Sequence, residues 1–410
     1  MCDVNLDKLE AEQEMVRKAK LRNMSVCMKC KIAKPAVVIR INDPMCKECF
    51  LQYATHKFRS TLGKSKLVKA NDKVLLAVSG GHTSRAMVHL VTEALSEKAH
   101  KRLRFSPGIV FIDESFTLKN DIEKETLKFQ EEMKKHGYPF YTVPVHQNST
   151  GKDEFLKNFE TVSTLTAKTD YIEKLRLRLI VETAVQHGYN KIMLGENATT
   201  LSMKLLSNIS QGRGISLPKD VAVGDDRYPD VMVVRPMREL SSKEVVMYNR
   251  FEDLPSLILP NLHTMAETGA SLQRQTEEFI NGLQVEFPST VSTVFRTGDK
   301  LCSNASYDNN NEKCAFCQGT ISKEKMEFNE PVDVSCGKKG GCCGSSDECS
   351  SNKFKLNTDD IKANLCYGCN LTFKDMSLNV ASFPLQTLET ISTNIKRAKM
   401  KETIQDFLLE

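Results

Sequence analysis

The 410-residue sequence lacks long apolar runs, and none approaches the roughly 18 residues that a membrane-spanning helix needs. Its first residues, MCDVNLDKLEAEQEMVRKAK, are charged and helix-prone, and they lack the apolar segment of a secretory leader. We therefore expect a cytoplasmic protein with no membrane association.

Cysteine is absent from the whole middle of the chain. Of the fourteen cysteines, five lie in residues 1–49 and nine in residues 302–369, and none lies between Phe50 and Leu301. In a reducing cytosol, cysteine pairs separated by two residues are typical of metal sites rather than disulfides. The sequence therefore predicts metal modules at both ends and a middle without thiol chemistry.

The chain also lacks a strong overall charge, with a formal net charge of +5. Residues 1–70 contain 15 Lys and Arg against 7 Asp and Glu and so carry +8, whereas the remaining residues sum to −3. A basic N-terminal segment favours a polyanionic partner such as a nucleic acid. A solvated, solubilising surface is the alternative.

Short apolar segments alternate with helical patterns through the middle of the chain. Five of them are predicted to be buried strands: residues 73–78, 108–113, 140–145, 191–196 and 231–237. Between two of these strands, Leu118, Ile122, Phe129 and Met133 share one face of a predicted helix. Strands alternating with helices predict βαβ units, a mostly parallel sheet and an α/β fold.

Composition divides the chain into five segments. We predict an N-terminal helix, a four-cysteine module and a basic linker in residues 1–66, and the α/β domain in residues 67–254, closed by a helix that Ser241 or Ser242 caps. Helices and loops follow in 255–313, a split cysteine module in 314–380 and a terminal helix in 381–410. Residues 318–365 are rich in Asn, Gly, Ser and Lys, so we predict a flexible insertion there.

Two sets of paired cysteines are candidate zinc ligands. Cys27, Cys30, Cys46 and Cys49 form the first set, and the hairpin-like segment KPAVVIRIN between the pairs can bring them together. Four thiolates suit a closed, structural Zn²⁺ site, with an iron–sulfur cluster as the lesser alternative. The second set is Cys314, Cys317, Cys366 and Cys369, whose pairs are separated by a long insertion that costs little entropy. The insertion's Cys336, Cys342, Cys343 and Cys349 are interpreted as solvated bystanders, with metal binding as the alternative. Cys2 and Cys302 have no evident partner.

The segment VLLAVSGGHTS, residues 74–84, joins a predicted strand to a predicted helix through two glycines. Such a turn presents backbone N–H groups and a helix N-terminus to an anion. The segment resembles the nucleotide loop of the N-type ATP pyrophosphatases, whose pattern is S-G-G-x-D-S. Ser79, Gly80, Gly81 and Ser84 match this pattern and would be the nucleotide-binding positions.

Nearly the whole chain resembles the family of cytoplasmic tRNA 2-thiolation protein 2, through the N-terminal cysteine pairs, AVSGG, LGENAT and the C-terminal CxxC pairs. The resemblance implies a PP-loop domain, of the adenine nucleotide alpha hydrolase-like and Rossmann-like type, flanked by N-terminal and C-terminal zinc-ribbon-like modules. It also implies a role in 2-thiolation of the wobble uridine in the lysine, glutamate and glutamine tRNAs. The family acts as a heterodimer with a homologous catalytic thiouridylase subunit, and its sulfur comes from a thiocarboxylated ubiquitin-related modifier, which is also attached to proteins.

The sequence departs from active members of this superfamily at three places. Thr83 occupies the aspartate position of the loop, and Thr199 and Thr200 occupy the two acidic positions of a G-H-N-x-D-D-type motif. Mg²⁺ prefers carboxylate oxygens, so the usual ATP–magnesium site is degraded. The stretch STLTAKTDYIEKLRLRL, where active relatives carry cysteines, has none. Asp113, Glu114 and Glu196 are the carboxylates that could still hold a metal in a changed geometry.

The sequence therefore favours a non-catalytic subunit that supplies a scaffold and a tRNA surface. Two alternatives stay open: an active ATP-dependent thiolase that adenylates uridine, and a zinc-ribbon protein adaptor. Phosphate contacts of a tRNA would mainly set affinity and position. The candidate contacts are Lys57, Arg59, Lys64, Lys66 and Lys69, with Arg102, Arg104, Arg176 and Arg178 as further positions.

Overall fold

The computed structural model describes residues 25–39, 42–99, 102–118, 122–148, 151–255, 259–303, 312–321, 356, 358–374 and 383–404. The predicted N-terminal helix, Cys2 and the four cysteines of the insertion lie outside these residues. Within the described part, no helix is long and apolar enough to cross a bilayer.

The N-terminal segment forms a hairpin followed by a long helix. Strands β1 (Val37–Ile39) and β2 (Asp43–Met45) pair antiparallel, and helix α1 (Lys47–Ser65) begins directly after Cys46. The hairpin thus joins the two cysteine pairs, as the sequence predicts. Helix α1 ends at Lys66, whose left-handed backbone turns the chain towards the central sheet.

The central sheet has six strands, and all five predicted strands are present. They are β3 (Lys73–Val78), β4 (Ser106–Asp113), β5 (Phe140–Pro144), β6 (Lys191–Leu194), β7 (Gly224–Asp225) and β8 (Met232–Val234). The strand order is β5-β4-β3-β6-β8-β7, in which every pair is parallel except β8 with β7. The mostly parallel α/β sheet is confirmed, and the short antiparallel β7 is an addition.

Helices cover both faces of this sheet. They are α2 (His82–Leu95), α3 (Glu123–Lys134), α4 (Lys152–Glu160), α5 (Leu165–Gln186), α6 (Ala198–Ser210), α7 (Leu217–Val221) and α8 (Ser242–Phe251). Ser241 caps α8 through a capping box with Glu244, which confirms the predicted start of that helix. Phe129 and Met133 are buried on α3, but Leu118 precedes the helix, so its predicted place on that face is wrong.

The C-terminal third adds a helical layer. Its helices are α9 (Leu262–Met265), α10 (Leu272–Glu286), α11 (Thr290–Ser303), α12 (Thr358–Ala363), α13 (Tyr367–Lys374) and α14 (Leu385–Ile404). Helix α12 lies inside residues 318–365, so the C-terminal part of the predicted insertion is helical. The physical reason is that Ile361 and Leu365 are apolar anchors, buried at 0% and 3% exposure.

Each cysteine set packs on its own face of the sheet. Alternate residues of β3 point to opposite sides: Val74, Leu76 and Val78 join the core that contains the first set, and Leu75 and Ala77 join the core that contains the second. The two cysteine modules therefore continue the two hydrophobic cores of the central domain.

Candidate functional site

The first cysteine set is built by a turn and a helix N-terminus. Cys27 and Cys30 lie on a turn in which the Lys31 N–H bonds to the Cys27 carbonyl at 2.9 Å. Cys46 is the N-cap of α1, and Cys49 lies in its first turn. All four ligand atoms lie within 4.8 Å of one another. The four thiols therefore form a single cluster, as the sequence predicts.

The spacing of the sulfurs tests whether a metal fits. A tetrahedral ion with metal–sulfur distances of about 2.3 Å holds its sulfurs about 3.8 Å apart. The Cys30 and Cys46 sulfurs are 3.9 Å apart. Burial opposes ionisation of Cys27, but backbone N–H groups of Cys30, Cys46 and Lys29 lower its pKa to about 6. The sulfurs are therefore spaced to bind one cation, and the lowered pKa favours the thiolate form of Cys27.

The second cysteine set repeats this design across a long separation in sequence. Cys314 and Cys317 lie on a turn closed by a 2.9 Å bond from the Gln318 N–H to the Cys314 carbonyl. Cys366 precedes α13 and Cys369 lies in its first turn. The four ligand atoms again lie within 4.8 Å of one another, all four residues are buried, and the Cys317 and Cys366 sulfurs are 3.6 Å apart. This set also fits a single tetrahedral cation.

A buried ion pair fastens the second module to the central domain. Arg213 makes a two-pronged pair with Asp170 of α5, with Nη2 at 2.6 Å from Oδ2, and both side chains are 3% exposed. Thr372 of α13 donates to the same carboxylate at 2.9 Å. Above this pair, Tyr171 stacks on Phe316 with ring centroids 5.6 Å apart. The buried ion pair and the aromatic contact therefore hold the C-terminal module against α5.

The glycine loop has the shape that the sequence predicts. Gly80 has a φ of +77°, and a Cβ there would lie 2.8 Å from Leu259 Cγ, so glycine is required twice over. The Ser84 hydroxyl donates to the Gly81 carbonyl at 3.0 Å, which closes the turn before α2. Ser79 is exposed at the carboxyl end of β3.

The three threonines at acidic positions take part in one neutral hydrogen-bond network. Asn197, 3% exposed, donates through Nδ2 to the Thr83 hydroxyl at 2.8 Å. Its Oδ1 accepts from the Thr200 N–H at 2.9 Å and from the Ser242 hydroxyl at 3.2 Å. The Ser242 N–H in turn donates to the Thr199 hydroxyl at 3.1 Å. The network joins the N-termini of α2, α6 and α8 without any carboxylate.

A cavity of about 380 Å³ opens beside the loop, at the carboxyl ends of the parallel strands. This edge of an open α/β sheet is where ligands bind. Its lining includes Ser79, Asp113, Lys174, Glu196 and Cys317. Because Cys317 also belongs to the second cysteine set, the C-terminal module forms part of the cavity wall.

Two of the three carboxylates that could still hold magnesium are engaged by cations. Glu114 pairs with Arg176, whose Nη2 lies 2.9 Å from Oε2. Glu196 bonds to Lys204 at 3.0 Å and to the fully buried Arg235 at 2.5 Å, and despite burial these two cations lower its pKa. Asp113 Oδ1 accepts from the Ser115 N–H at 2.9 Å. Of these three carboxylates only Asp113 has no ion pair among the described residues, which leaves fewer free carboxylates than Mg²⁺ prefers.

The candidate tRNA contacts fall into two groups. Lys64, Lys66, Lys69, Arg102 and Arg104 are exposed, and the bond from the Asn71 N–H to the Arg104 carbonyl at 2.9 Å brings two of their loops together. These loops precede β3 and β4, so they lie at the edge of the sheet opposite the glycine loop.

The other candidates are partly buried. The Lys57 ammonium bonds to the Glu239 carbonyl at 2.8 Å, and Arg59 is half-buried. Arg176 pairs with Glu114, and Arg178 donates to the Ala315 carbonyl at 3.1 Å. Lys57, Arg176 and Arg178 therefore each bond to a carbonyl or carboxylate within the protein.

Sequence reasoning missed Asn197 as a hub and the ion pairs of Arg213 and Arg235. The sequence contains a local signal for two of these residues, Asn197 and Arg235. Asn197 stands just before a helical pattern, as N-caps do, and Arg235 directly follows the buried strand VMVV, where a charge needs an internal partner. Nothing in the local sequence pairs Arg213 with Asp170, 43 residues away.

The sheet, the glycine loop and the cavity define a PP-loop protein of the N-type ATP pyrophosphatase class with a four-cysteine cluster on each side. A family model described as cytoplasmic tRNA 2-thiolation protein 2 matches residues 271–371. A protein of that name from Danio rerio is 34% identical over 100% of this chain and 99% of its own length. The chain belongs to the cytoplasmic tRNA 2-thiolation protein 2 family.

Other similar proteins carry the same family name. The 2-B protein of Xenopus laevis is 36% identical over 94% of both chains, and the human protein is 31% identical over 100% of this chain and 98% of its own. These names include the word cytoplasmic, in agreement with the expected location. Among solved structures, the U34-tRNA thiolase NcsA from Methanococcus maripaludis, determined with its 4Fe-4S cluster, matches with a TM-score of 0.55. It is 19% identical and covers 69% of this chain and 90% of its own, which shows a common fold.

Proposed function

We propose that this chain is a non-catalytic subunit required for 2-thiolation of the wobble uridine in cytoplasmic tRNAs for lysine, glutamate and glutamine. The observation that carries the proposal is the network around Asn197. Thr83, Thr199 and Thr200 stand where the superfamily pattern has acids, and their hydroxyl or N–H groups are engaged with Asn197 or Ser242. These motif positions therefore offer hydroxyl and amide groups instead of the carboxylates that magnesium prefers.

The charges around the cavity support the same conclusion. Glu114 and Glu196 are neutralised by Arg176 and by Lys204 with Arg235, so using either carboxylate for a metal would break an existing ion pair. The cavity wall contributed by α5 presents Asp170, Glu173 and Lys174 instead of thiols. The loop motifs beside the cavity therefore lack the acids of the superfamily pattern, and the central domain has no cysteine for sulfur transfer.

The missing chemistry requires a partner. A homologous catalytic thiouridylase subunit would supply the metal-binding acids and the reactive sulfur, in a heterodimer with this chain. The sulfur would come from a thiocarboxylated ubiquitin-related modifier. In this arrangement the PP-loop domain is a rigid scaffold, and its two cores hold the modules that contact the partner and the tRNA.

The exposed cations at the amino ends of the strands are our proposed tRNA contacts. Lys64, Lys66, Lys69 and Arg104 are exposed, and Arg102 is exposed although it donates to the Leu95 carbonyl at 2.8 Å and lies 4.0 Å from Glu97. Lys57, Arg176 and Arg178 are less exposed and would first have to leave carbonyl or carboxylate partners. Because these five lie at the edge opposite the glycine loop, they would hold the body of the tRNA rather than the reacting base.

Both cysteine sets are proposed to hold structural zinc. Sulfur separations of 3.9 Å and 3.6 Å match one ion with four thiolates, whereas an iron–sulfur cluster distributes its thiolates over several irons and needs a wider cage. With all four positions filled by protein, the ions would have no open site for substrate. Their contribution is to hold the turns and helix ends in place.

The first test is the amount of 2-thiouridine in tRNA from cells that lack this chain. We expect it to be lost and to return with the wild-type gene; normal levels in the deleted cells would reject the proposal. The second test is pyrophosphate exchange by the isolated, zinc-loaded chain. We expect none, because no acid set for magnesium is present.

A second candidate function, an active ATP-dependent thiolase, has one observation in its favour. Thr126 lines the cavity, is 4% exposed, and its hydroxyl has no hydrogen-bond partner among the described residues. A buried orphan hydroxyl is a place where a polar ligand could bond. Calorimetry with ATP decides whether the cavity still binds nucleotide, and exchange activity would be needed to establish catalysis. A protein adaptor without RNA is excluded if tRNA binding weakens with salt.

A further inference from the structure

The last helix leaves the body of the protein halfway along its length. Leu388 and Ile391 of α14 are buried at 3% and 0% exposure, and Arg178 and Asn364 bond to the same half through Thr387 and Asn394. From Lys396 to Met400 every residue is exposed, and Met400 reaches 67% exposure. Nine residues at the end of the helix, about 13 Å of it, therefore extend beyond the core.

This projecting half is strongly cationic. Its residues 396–404, KRAKMKETI, contain four cations and one carboxylate, that of Glu402. Lys396, Arg397, Lys399 and Lys401 form no ion pair with any residue that the structure describes. The helix macrodipole accounts for a cation in the last turn, which holds Lys401, but not for Lys396 or Arg397, which lie more than a turn earlier. The like charges repel one another, so the segment calls for an external anion.

The distribution of these cations selects the type of anion. At 100° per residue the four spread over about 200° of the helix circumference, with Met400 and Ile404 between Lys396 and Arg397. A helix that lies on a membrane separates an apolar face from a cationic face. Here the two apolar side chains lie inside the cationic sector, so the described part of this segment has no separate apolar face. A rod that presents charge on several sides fits a phosphate backbone that passes along it.

We infer that residues 396–401 of α14 bind the phosphate backbone of the tRNA, as a second contact apart from the basic edge of the sheet. The inference rests on the proposed function for the identity of the RNA. The buried first half of α14 is held by the C-terminal cysteine module, because α14 packs on α12, which leads directly into Cys366. The module would thus set the direction in which the cationic rod points.

The test uses the full chain in complex with its catalytic partner, and filter binding of a lysine tRNA transcript across a salt series. The test variant is K396Q/R397Q/K399Q/K401Q. The control, K124Q/K128Q/K134Q/K135Q, removes the same charge from exposed lysines of α3 and its C-cap. We expect the test variant to bind about tenfold more weakly near 0.1 M salt, with a log–log salt slope smaller by about 2 to 3, and the control to change binding about twofold or less.

The outcomes separate the inference from the proposed function. If the wild-type complex binds no tRNA, the tRNA part of the proposed function fails. If it binds and the two variants have the same affinity and slope, α14 is not a contact and the inference is overturned. Vesicles rich in phosphatidylserine provide the last comparison. Co-sedimentation that the test variant alone loses, with tRNA binding unchanged, would assign the helix to a membrane surface instead.

Discussion

Replacement of Asn197 by alanine is the substitution with the clearest structural consequence. The Asn197 side chain caps α6, accepting from the Thr200 N–H at 2.9 Å, and it bonds to Thr83 at 2.8 Å and Ser242 at 3.2 Å. Loss of an N-cap costs about 1 kcal/mol. Each of the two further buried bonds contributes about 1 kcal/mol. We therefore expect Asn197→Ala to lower the free energy of unfolding by about 3 kcal/mol.

Asn197→Asp keeps the volume of the side chain and changes only its hydrogen-bonding groups. Aspartate keeps the oxygen that accepts from Thr200 and Ser242, and the Thr83 hydroxyl can turn to donate instead of accepting. A negative charge at a helix N-terminus is also favourable. We expect this variant to lose no more than about 1 kcal/mol.

Urea denaturation followed by circular dichroism at pH 7 measures these differences. Ser271→Ala is the matched control, since Ser271 is 3% exposed and caps α10 with a single bond to the Arg274 N–H at 3.1 Å. It should cost about 1 kcal/mol. If Asn197→Ala costs no more than Ser271→Ala, the neutral network is not a structural unit and the reasoning about the lost acids is wrong.

Three other predictions concern the modules and the buried charges. Arg213→Ala should cost about 3 to 5 kcal/mol in thermal unfolding, because it leaves the Asp170 carboxylate buried and unpaired. Elemental analysis should find two zinc ions per chain, and Cys27→Ser and Cys314→Ser should each remove one. Although burial opposes ionisation, nearby arginines lower the pKa of Asp225 from 3.8 to about 2. Because its folded pKa is the lower one, its stabilisation of about 2 kcal/mol is present above about pH 4 and is lost as pH falls towards 2, so Asp225→Asn should flatten acid unfolding there.

Each of these has a control. Arg102→Ala removes an exposed pair with Glu97 at 4.0 Å and should cost under about 0.5 kcal/mol. Cys302→Ser should leave both ions bound, and Asp226→Asn, at an exposed pair, should leave the acid transition unchanged. Equal effects in Arg213→Ala and Arg102→Ala, a single zinc in the wild type, or an unaltered acid transition in Asp225→Asn would each contradict the corresponding prediction.

Periodicity predicted the sheet well because its signal is local. Strands β3 and β4 are short apolar runs with five buried residues each, which the sequence shows directly. The cysteine spacing likewise predicted both clusters, since each pair lies on a tight turn or a helix start. Helix α12 was missed because a polar insertion precedes it, and its two apolar anchors are too few to show a period.

The charges at the cavity could not be predicted in the same way. Arg176 is a candidate tRNA contact by sequence, yet it pairs with Glu114, 62 residues away. Whether a charge is exposed depends on which distant residue the fold brings beside it. Local sequence carries the residue types, but the ion pairs that neutralise Glu114 and Glu196 come from the tertiary structure.

The most direct measurement is the wobble 2-thiouridine content of tRNA in cells that lack this chain and carry a Ser79→Ala copy. Ser79 is exposed on the loop, so the substitution disturbs no packing and removes the hydroxyl that an active loop would present to pyrophosphate. If the chain is a scaffold without catalysis, this copy restores thiolation as fully as the wild type. Loss of thiolation with a stable, correctly assembled Ser79→Ala protein would contradict that account and assign the loop a part in the reaction.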